Sequence, residues 1–411
     1  MPEHDQTHHE SADGQGGPLR GVRVLDASTM LAGPLTGGLL ADFGADVIKV
    51  EDIGDGDPMR LISADEQGRS VLSKISNRNK RSIALDLRTP GGQQVFRELA
   101  AQVDVVATNF RMTTLEKWGL DYQALSAANP GLVMYHLSAL GRSGTRRDDP
   151  GFARVAEAYS GLTYASGEPD GPPMFAGYAI ADGVGGLHGA FSVVLALYEA
   201  LRTGRGQLVE VSLAGAMLRM LEGLVARYET SGVSPERSGN RNEIAPNGIY
   251  RTGDDQWVVL PVSTPSMWLR LCTALARPEL VDDPRFRTNA DRLVHREELD
   301  AILAPELAGR ALDDLYDLLR SHEVAVGRVN SMSDLFADED AWTEQMLVRV
   351  PDAQLGREIG MPGVLPHLSQ TPGRIRHTGP EPGQDTVGVL QELLGLDQDA
   401  IDSLRDAGVI G

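Results

Sequence analysis

The 411-residue chain reads as an α/β protein with a mostly parallel sheet, followed by a second, smaller α+β domain. Three observations predict this. From about residue 19 to 224, short apolar runs of the buried-strand kind alternate with helical stretches, the pattern of a parallel sheet with helices on both faces. From about Leu221 the texture changes to a hairpin and amphipathic helices, which marks 225–335 as a separate small domain. The final stretch, 336–411, is loop-rich and ends in two helical segments with one apolar face each; it cannot bury a core alone and must dock on another part of the fold.

In chain order, "GVRVLDAS" is a strand and "LAGPLTGGLLADFGADVIKVE" is loop, helix, loop and strand. Leu39, Leu40 and Phe43 can share one helical face, and Gly44 can end the helix. "RSIALDL" is a strand, "PGGQQVFRELAAQ" a helix with Pro near its first turn, and "VDVVATNF" a strand. "LSAANPGLVMYHLSALG" repeats helix, turn and strand. "NGIYRTGDDQWVVLPVS" reads as a hairpin around "GDDQ". "SMWLRLCTAL" and "REELDAILAPELAGRALDDLYDLLRSH" are amphipathic helices.

Composition excludes several function classes. With 58 acidic against 38 basic side chains, the net charge of −20 argues against nucleic acid or an anionic membrane surface as the main partner. A small anionic ligand stays open, because local Lys and Arg can oppose the global field. The single cysteine, Cys272, excludes an intrachain disulfide framework and a cysteine-based zinc site, and points to a reducing cytoplasm. No uninterrupted apolar run reaches the ~20 residues of a membrane span. The N-terminal "MPEHDQTHHESADGQGGP" lacks the apolar core of a secretory signal; residues 1–18, with His4, His8 and His9, read as a disordered tail.

Four stretches invite a functional reading. "AGYAIADGVGGLHGAF" carries one carboxylate, Asp182, followed by Gly183, Gly185, Gly186 and Gly189. It is either a helix N-cap or a reacting group with space beside it. The strand, turn, helix and strand ending at Glu51 has the layout of a dinucleotide site, but Gly33, Gly37 and Gly38 do not give G-x-G-x-x-G, and tight packing explains them better. The basic run "NRNKRSIALD", with Asn77, Arg78, Lys80 and Arg81, is either a solvated loop or a phosphate site. "TNFRMTTLEKWGL" adds Arg111 and Lys117 between Phe110 and Trp118, which could stack on a purine or sit in the core.

Taken together, "GVRVLDASTMLAGPLTGGLLADFGADVIKVE", "SNRNKRSIALDL", "AYSGLTYASGEPDGPPMFAGYAIADGVGG" and "EALRTGRGQLVEVSL" resemble the class III CoA-transferases, the family of formyl-CoA and carnitine CoA-transferases. The resemblance runs from Leu19 to Gly411. It implies a Rossmann-like large domain over 19–224, a small domain over 225–335, a segment 336–411 returning to the large domain, and an interlocked homodimer. It implies that Asp182 is the nucleophile and that Gly183 offers its N–H to the oxyanion. Leu31, Ala32, Leu85, Arg88, Asn109, Phe110, Arg111 and Lys117 fall where the family contacts CoA. The implied substrates are an acyl-CoA and a small carboxylic acid, with no metal and no tightly bound cofactor. The chain departs from the family pattern: where the family often has Asp, Glu or Asn in "G-F-D" before "QA-x-S-G", this chain has "GFARVAEAYSG", with Ala153 and Glu157; "NFRMT" loses a Pro and a Gly; Asp52 stands where some members have Arg. A related α-methylacyl-CoA racemase would need His where Phe152 and Ala153 stand, and neither can move a proton. A non-catalytic CoA-binding protein is the remaining alternative.

Overall fold

A computed structural model describes residues 16–411 other than Asn242; the three tail histidines lie outside the described residues. The chain divides into two compact units, one of residues up to 162 with 176–232 and 342–411, the other of 163–175 with 233–341.

The first unit is built on six strands: β1 (Arg23–Asp26), β2 (Asp46–Glu51), β3 (Arg81–Ala84), β4 (Val105–Thr108), β5 (Val133–Ser138) and β6 (Leu208–Ser212). They lie in the order β3-β2-β1-β4-β5-β6, all parallel, with Leu25 opposite both Ile48 and Val106. This is the doubly wound Rossmann order, and the direction of winding reverses between β1 and β4. The central strands are buried on both faces, which is why they read as continuous apolar runs instead of alternating ones.

The covering helices begin with α1 (Ala32–Asp42), α2 (Val71–Ser76), α3 (Pro90–Ala100), α4 (Met112–Trp118) and α5 (Tyr122–Ala128). Thr89 caps α3 through the Gly92 N–H, with Pro90 in the first turn as predicted. Then come α6 (Ala153–Tyr159), the long α8 (Ile180–Thr203), α9 (Leu213–Met220) and α10 (Glu222–Ser231); the single turn α7 (Leu162–Ala165) begins on the last residue before the second unit and runs into it.

The glycines of α8 have a packing role. A Cβ at Gly186 would sit 2.8 Å from Leu35 and 3.0 Å from the Ala32 carbonyl, and one at Gly189 would drive into Thr36 and Tyr135. They let α8 lie directly on α1. By length and composition α8 is apolar enough to cross a membrane, contrary to the expectation from run lengths, because glycine, alanine and uncharged polar residues fill the gaps between its apolar ones. One flank is buried on α1 and β5; the other exposes Leu187, Phe191, Val194, Leu195, Tyr198 and Leu201, a stripe at helical spacing.

The basic run is neither a solvated loop nor a phosphate site. Lys80 is fully buried, and its Nζ donates to Asp26 Oδ2 at 2.8 Å and to the Pro34 carbonyl at 2.7 Å. Arg78 grips Asp42 through Nε and Nη2, and Arg81 bridges Asp46 and Glu392. These cations lock β3 to β1, α1 and the C-terminal segment. Glu51 is likewise committed, to Arg60 through both oxygens and to the Ser82 hydroxyl, so it is no ribose ligand.

The second unit pairs β7 (Asn247–Arg251), β8 (Trp257–Pro261) and β9 (Gly327–Arg328) antiparallel. Its helices are α11 (Pro265–Ala274), α12 (Glu279–Asp282), α13 (Asn289–Val294), α14 (Arg296–Ala308) and α15 (Leu312–Ser321), packed around Trp268, Phe286 and Leu303. The chain continues through α16 (Met332–Ala337) and α17 (Glu339–Thr343) back into the first unit. There β10 (Leu347–Asp352) and β11 (Arg357–Pro362) form a hairpin that the loop-rich reading of this segment did not anticipate. α18 (Thr386–Leu394) and α19 (Gln398–Asp406) bury Val389, Leu390 and Ile401 in the same core as β1–β3 and α3.

Candidate active site

In a sheet of this order, ligands bind outside the carboxyl ends of the strands where the winding reverses. The β1 end leads to Leu31 and Ala32, and the β4 end to Asn109, Phe110 and Arg111, so these five flank one crevice. Asn109 ties the β4 end to the β1 end: Oδ1 accepts from the Thr29 N–H at 2.9 Å and Nδ2 donates to the Thr29 carbonyl at 2.8 Å. Its amide is thereby spent on holding the β1–α1 loop. Next to that clamp, Met30 has φ +69°, a left-handed conformation that costs a side chain about 1–2 kcal/mol. Buried Asp57 holds it by accepting the Met30 N–H at 3.0 Å, while Lys49 neutralises Asp57 at 2.8 Å. Nothing in the local sequence marks Met30 or Asp57; both become visible only with the backbone.

The remaining CoA-type positions divide. Leu85 is buried and pairs with Ile410, so its side chain belongs to the core while its backbone follows β3. Arg88 is exposed but committed to Asp52 at 2.9 Å and Asp86 at 2.7 Å, and these carboxylates oppose its use against phosphate. Arg111 and Lys117 are exposed at either end of α4. Phe110 is partly buried and meets Trp118 edge to face at 5.6 Å, so both rings serve the core as well as the crevice wall.

Asp182 is not an N-cap. That position belongs to Ala179, and Asp182 is the third residue of α8. Gly185, three residues on and so on the same side of the helix, packs a would-be Cβ 3.9 Å from Ala32, which carries the start of α8 to the start of α1 and the crevice. Gly183 is the fourth residue, so its N–H closes the first intrahelical bond on the Ala179 carbonyl and is not a spare donor. Gly183 instead contributes space: a Cβ there would meet nothing within 4 Å.

Burial pushes the Asp182 carboxyl up to about 6, the negative charge of Glu157 adds to this, and Arg154 opposes it. Glu157, on α6, is itself buried, accepting the Ala181 N–H at 3.2 Å and the Arg154 guanidinium at 2.8 Å. Tyr178 lies near enough for Asp182 and burial together to raise its phenol. The arrangement offers a carboxylate that is ionised at neutral pH, more basic than usual, and open on the Gly183 side. Phe152, where a racemase histidine would stand, is exposed at the N-terminus of α6.

The second unit holds a cavity of about 410 Å³ lined by Glu168, Arg241, Tyr250, Arg296 and Asp300, among others. No residue singled out above lines it. Its charges answer one another, Arg241 with Glu297 and Asp300, and Tyr250 with Asp300.

Comparison with known proteins fits this geometry. The sequence pattern of CoA-transferase family III matches residues 19–386. Succinyl-CoA–D-citramalate CoA-transferase of Chloroflexus aurantiacus is 40% identical, over 96% of this chain and 98% of that protein. Succinate–glutarate CoA-transferase of Agrobacterium fabrum is 35% identical, over 93% and 97%. The crystal structure of a CaiB/BaiF family protein from Brucella suis superposes with a TM-score of 0.82 at 32% identity, covering 92% of this chain and all of that one. With the family's pattern spanning the Rossmann sheet, the crevice and Asp182 alike, the chain belongs to CoA-transferase family III and is a CoA-transferase.

Proposed function

We propose that this enzyme moves CoA from a succinyl-CoA-type donor to a short free dicarboxylic or hydroxydicarboxylic acid through covalent chemistry on Asp182. The observation that carries the reading is the raised, partly open carboxylate in the first turn of α8. Relatives named for succinyl-CoA, citramalate, malate and glutarate support the substrate class.

In this mechanism an Asp182 oxygen attacks the thioester carbonyl. The C–S bond breaks, leaving a mixed anhydride and CoA thiolate. The thiolate attacks the aspartyl carbonyl and the donor acid leaves as a carboxylate, so the enzyme now carries an aspartyl-CoA thioester. The acceptor carboxylate attacks that thioester, giving a new anhydride and freeing the thiolate. The thiolate then attacks the acceptor's acyl carbonyl; acyl-CoA departs and the Asp182 carboxylate returns. The CoA arm lies along the crevice past Leu31, Ala32 and Asn109, and Arg111 and Lys117 serve its phosphates, with Arg88 in a lesser role because Asp52 and Asp86 hold it. Water must be kept from the anhydride and thioester during turnover.

The working species in this reading is a homodimer. The exposed stripe of α8, continued by Met220, Val225 and Tyr228, is too apolar to stay in water and suits a second copy. Hydroxylamine added with succinyl-CoA should trap a hydroxamate at Asp182. Transfer without any trapped adduct, and undiminished in Asp182→Ala, would overturn the mechanism.

A further inference from the structure

Helix α8 starts without a cap of its own, because Ala179 has no side-chain acceptor to offer. A helix of 24 residues leaves its first-turn N–H groups and the positive end of its dipole to be met by something else. Glu157 meets them from α6. One oxygen accepts the Ala181 N–H, the other accepts Arg154, and the residue is 1% exposed.

A glutamine of the same shape could accept the Ala181 N–H without carrying a charge into a dry site, where an ion costs several kcal/mol. This chain has glutamate here. The charge is therefore what needs explaining. Asp182 follows Ala181 directly. The charged or titratable groups that bear on it are Glu157 and Arg154 from α6 and Tyr178 from the segment before α8. The faces of α1 and α9 against this end of α8 carry Ala32, Leu35 and Leu213, which do not titrate, and on α8 itself the nearest such residue is His188, well over a turn on.

We propose that Glu157 is a positioning residue for the nucleophile: it fixes the first turn of α8 through Ala181 and, with Arg154, sets the charge that Asp182 faces. This rests on the reading of Asp182 as the nucleophile. A carboxylate held beside a second carboxylate is more basic, and so a better nucleophile, while ionised at neutral pH. Arg154 keeps the pair from becoming two uncompensated negative charges. The pair thus acts as a two-sided adjustment, one partner raising and the other lowering the proton affinity of Asp182.

The test follows the Asp182 carboxyl itself in the full chain, by isotope-edited infrared difference spectra of native protein minus Asp182→Asn across pH. Glu157→Gln keeps the shape and the bond to Ala181; it should lower the midpoint from near 6 by roughly half a unit to one unit. Arg154→Gln should raise it by a similar amount. The acidic limb of the transfer rate should move with each. Midpoints unmoved in both variants, or moved in the same direction, would overturn the proposal, because a merely structural role gives no opposite signs. Transfer retained in Asp182→Asn would instead defeat the nucleophile reading, while the infrared midpoints still decide the role of Glu157.

Discussion

Asp182→Asn should stabilise the protein while abolishing transfer. The carboxyl is raised from 3.8 to about 6 in the folded chain. A raised acid is bound more tightly to its proton when folded, so its ionised form is a liability. Below the unfolded value both states are protonated and nothing is lost. As pH climbs from about 4 to 6 the unfolded state ionises first, and stability falls; above about 6 the full penalty applies. Two units at about 1.36 kcal/mol each give an upper bound of about 3 kcal/mol. Because Asp182 is partly open to water, about 1–3 kcal/mol is the fair range. Asparagine keeps the shape and removes the penalty. In a chain of this size each kcal/mol is worth roughly 2–4 °C in Tm. Urea unfolding at pH 8 and at pH 5, at one protein concentration, should show the Asn variant ahead at pH 8 and the gap about halved at pH 5. A gap of equal size at both pH values, or an Asn variant less stable at pH 8, would refute the burial argument. Function retains a destabilising charge here, and its removal should restore stability at the expense of turnover.

Other consequences follow from the same geometry. Gly186→Ala should cost about 1–3 kcal/mol, since its Cβ meets Leu35 and the Ala32 backbone, as measured by denaturant midpoint. Gly183→Ala meets nothing and should gain up to about 1 kcal/mol from helix propensity, yet slow transfer by narrowing the approach to Asp182; unchanged turnover would show that substrate arrives from another side. Lys80→Met leaves Asp26 buried beside fewer cations and should cost about 3–5 kcal/mol, part of which Asp26→Asn in the same chain should recover. Leu187→Lys with Phe191→Lys should yield a monomer by light scattering with the far-UV spectrum retained; an intact dimer would place the interface elsewhere.

The sheet was legible because its strands are buried on both faces and so leave continuous apolar runs, with Thr89–Pro90 and Gly44 as clear boundaries. The hairpin β10–β11 was not. Its core face is only Val350, Ile359 and Met361, too short an alternation to stand out against the Pro and Gly around it. The basic run misled for a different reason. Sequence shows charge but not the partner that cancels it, and Asp26, Asp42 and Glu392 lie 54, 36 and 311 residues away from the cations they bind.

The carboxylate that opened the question shows the same division at closer range. Local sequence offered Asp182 as a cap because acids favour helix starts, yet the cap is supplied from elsewhere by Glu157, and this is what leaves Asp182 without a hydrogen-bond duty. An Asp that capped its own helix would have its oxygens bound to backbone N–H groups and its proton affinity lowered. Displaced to the third position, beside a glycine with open space and a second carboxylate, the same residue is raised instead. Gly185, Gly186 and Gly189 serve packing against α1, α9 and β5, while Gly183 faces open space. Composition could say that a small, dry segment carries one acid; only the bond from Ala181 to Glu157 on α6 says which acid holds the helix and which is left without that duty.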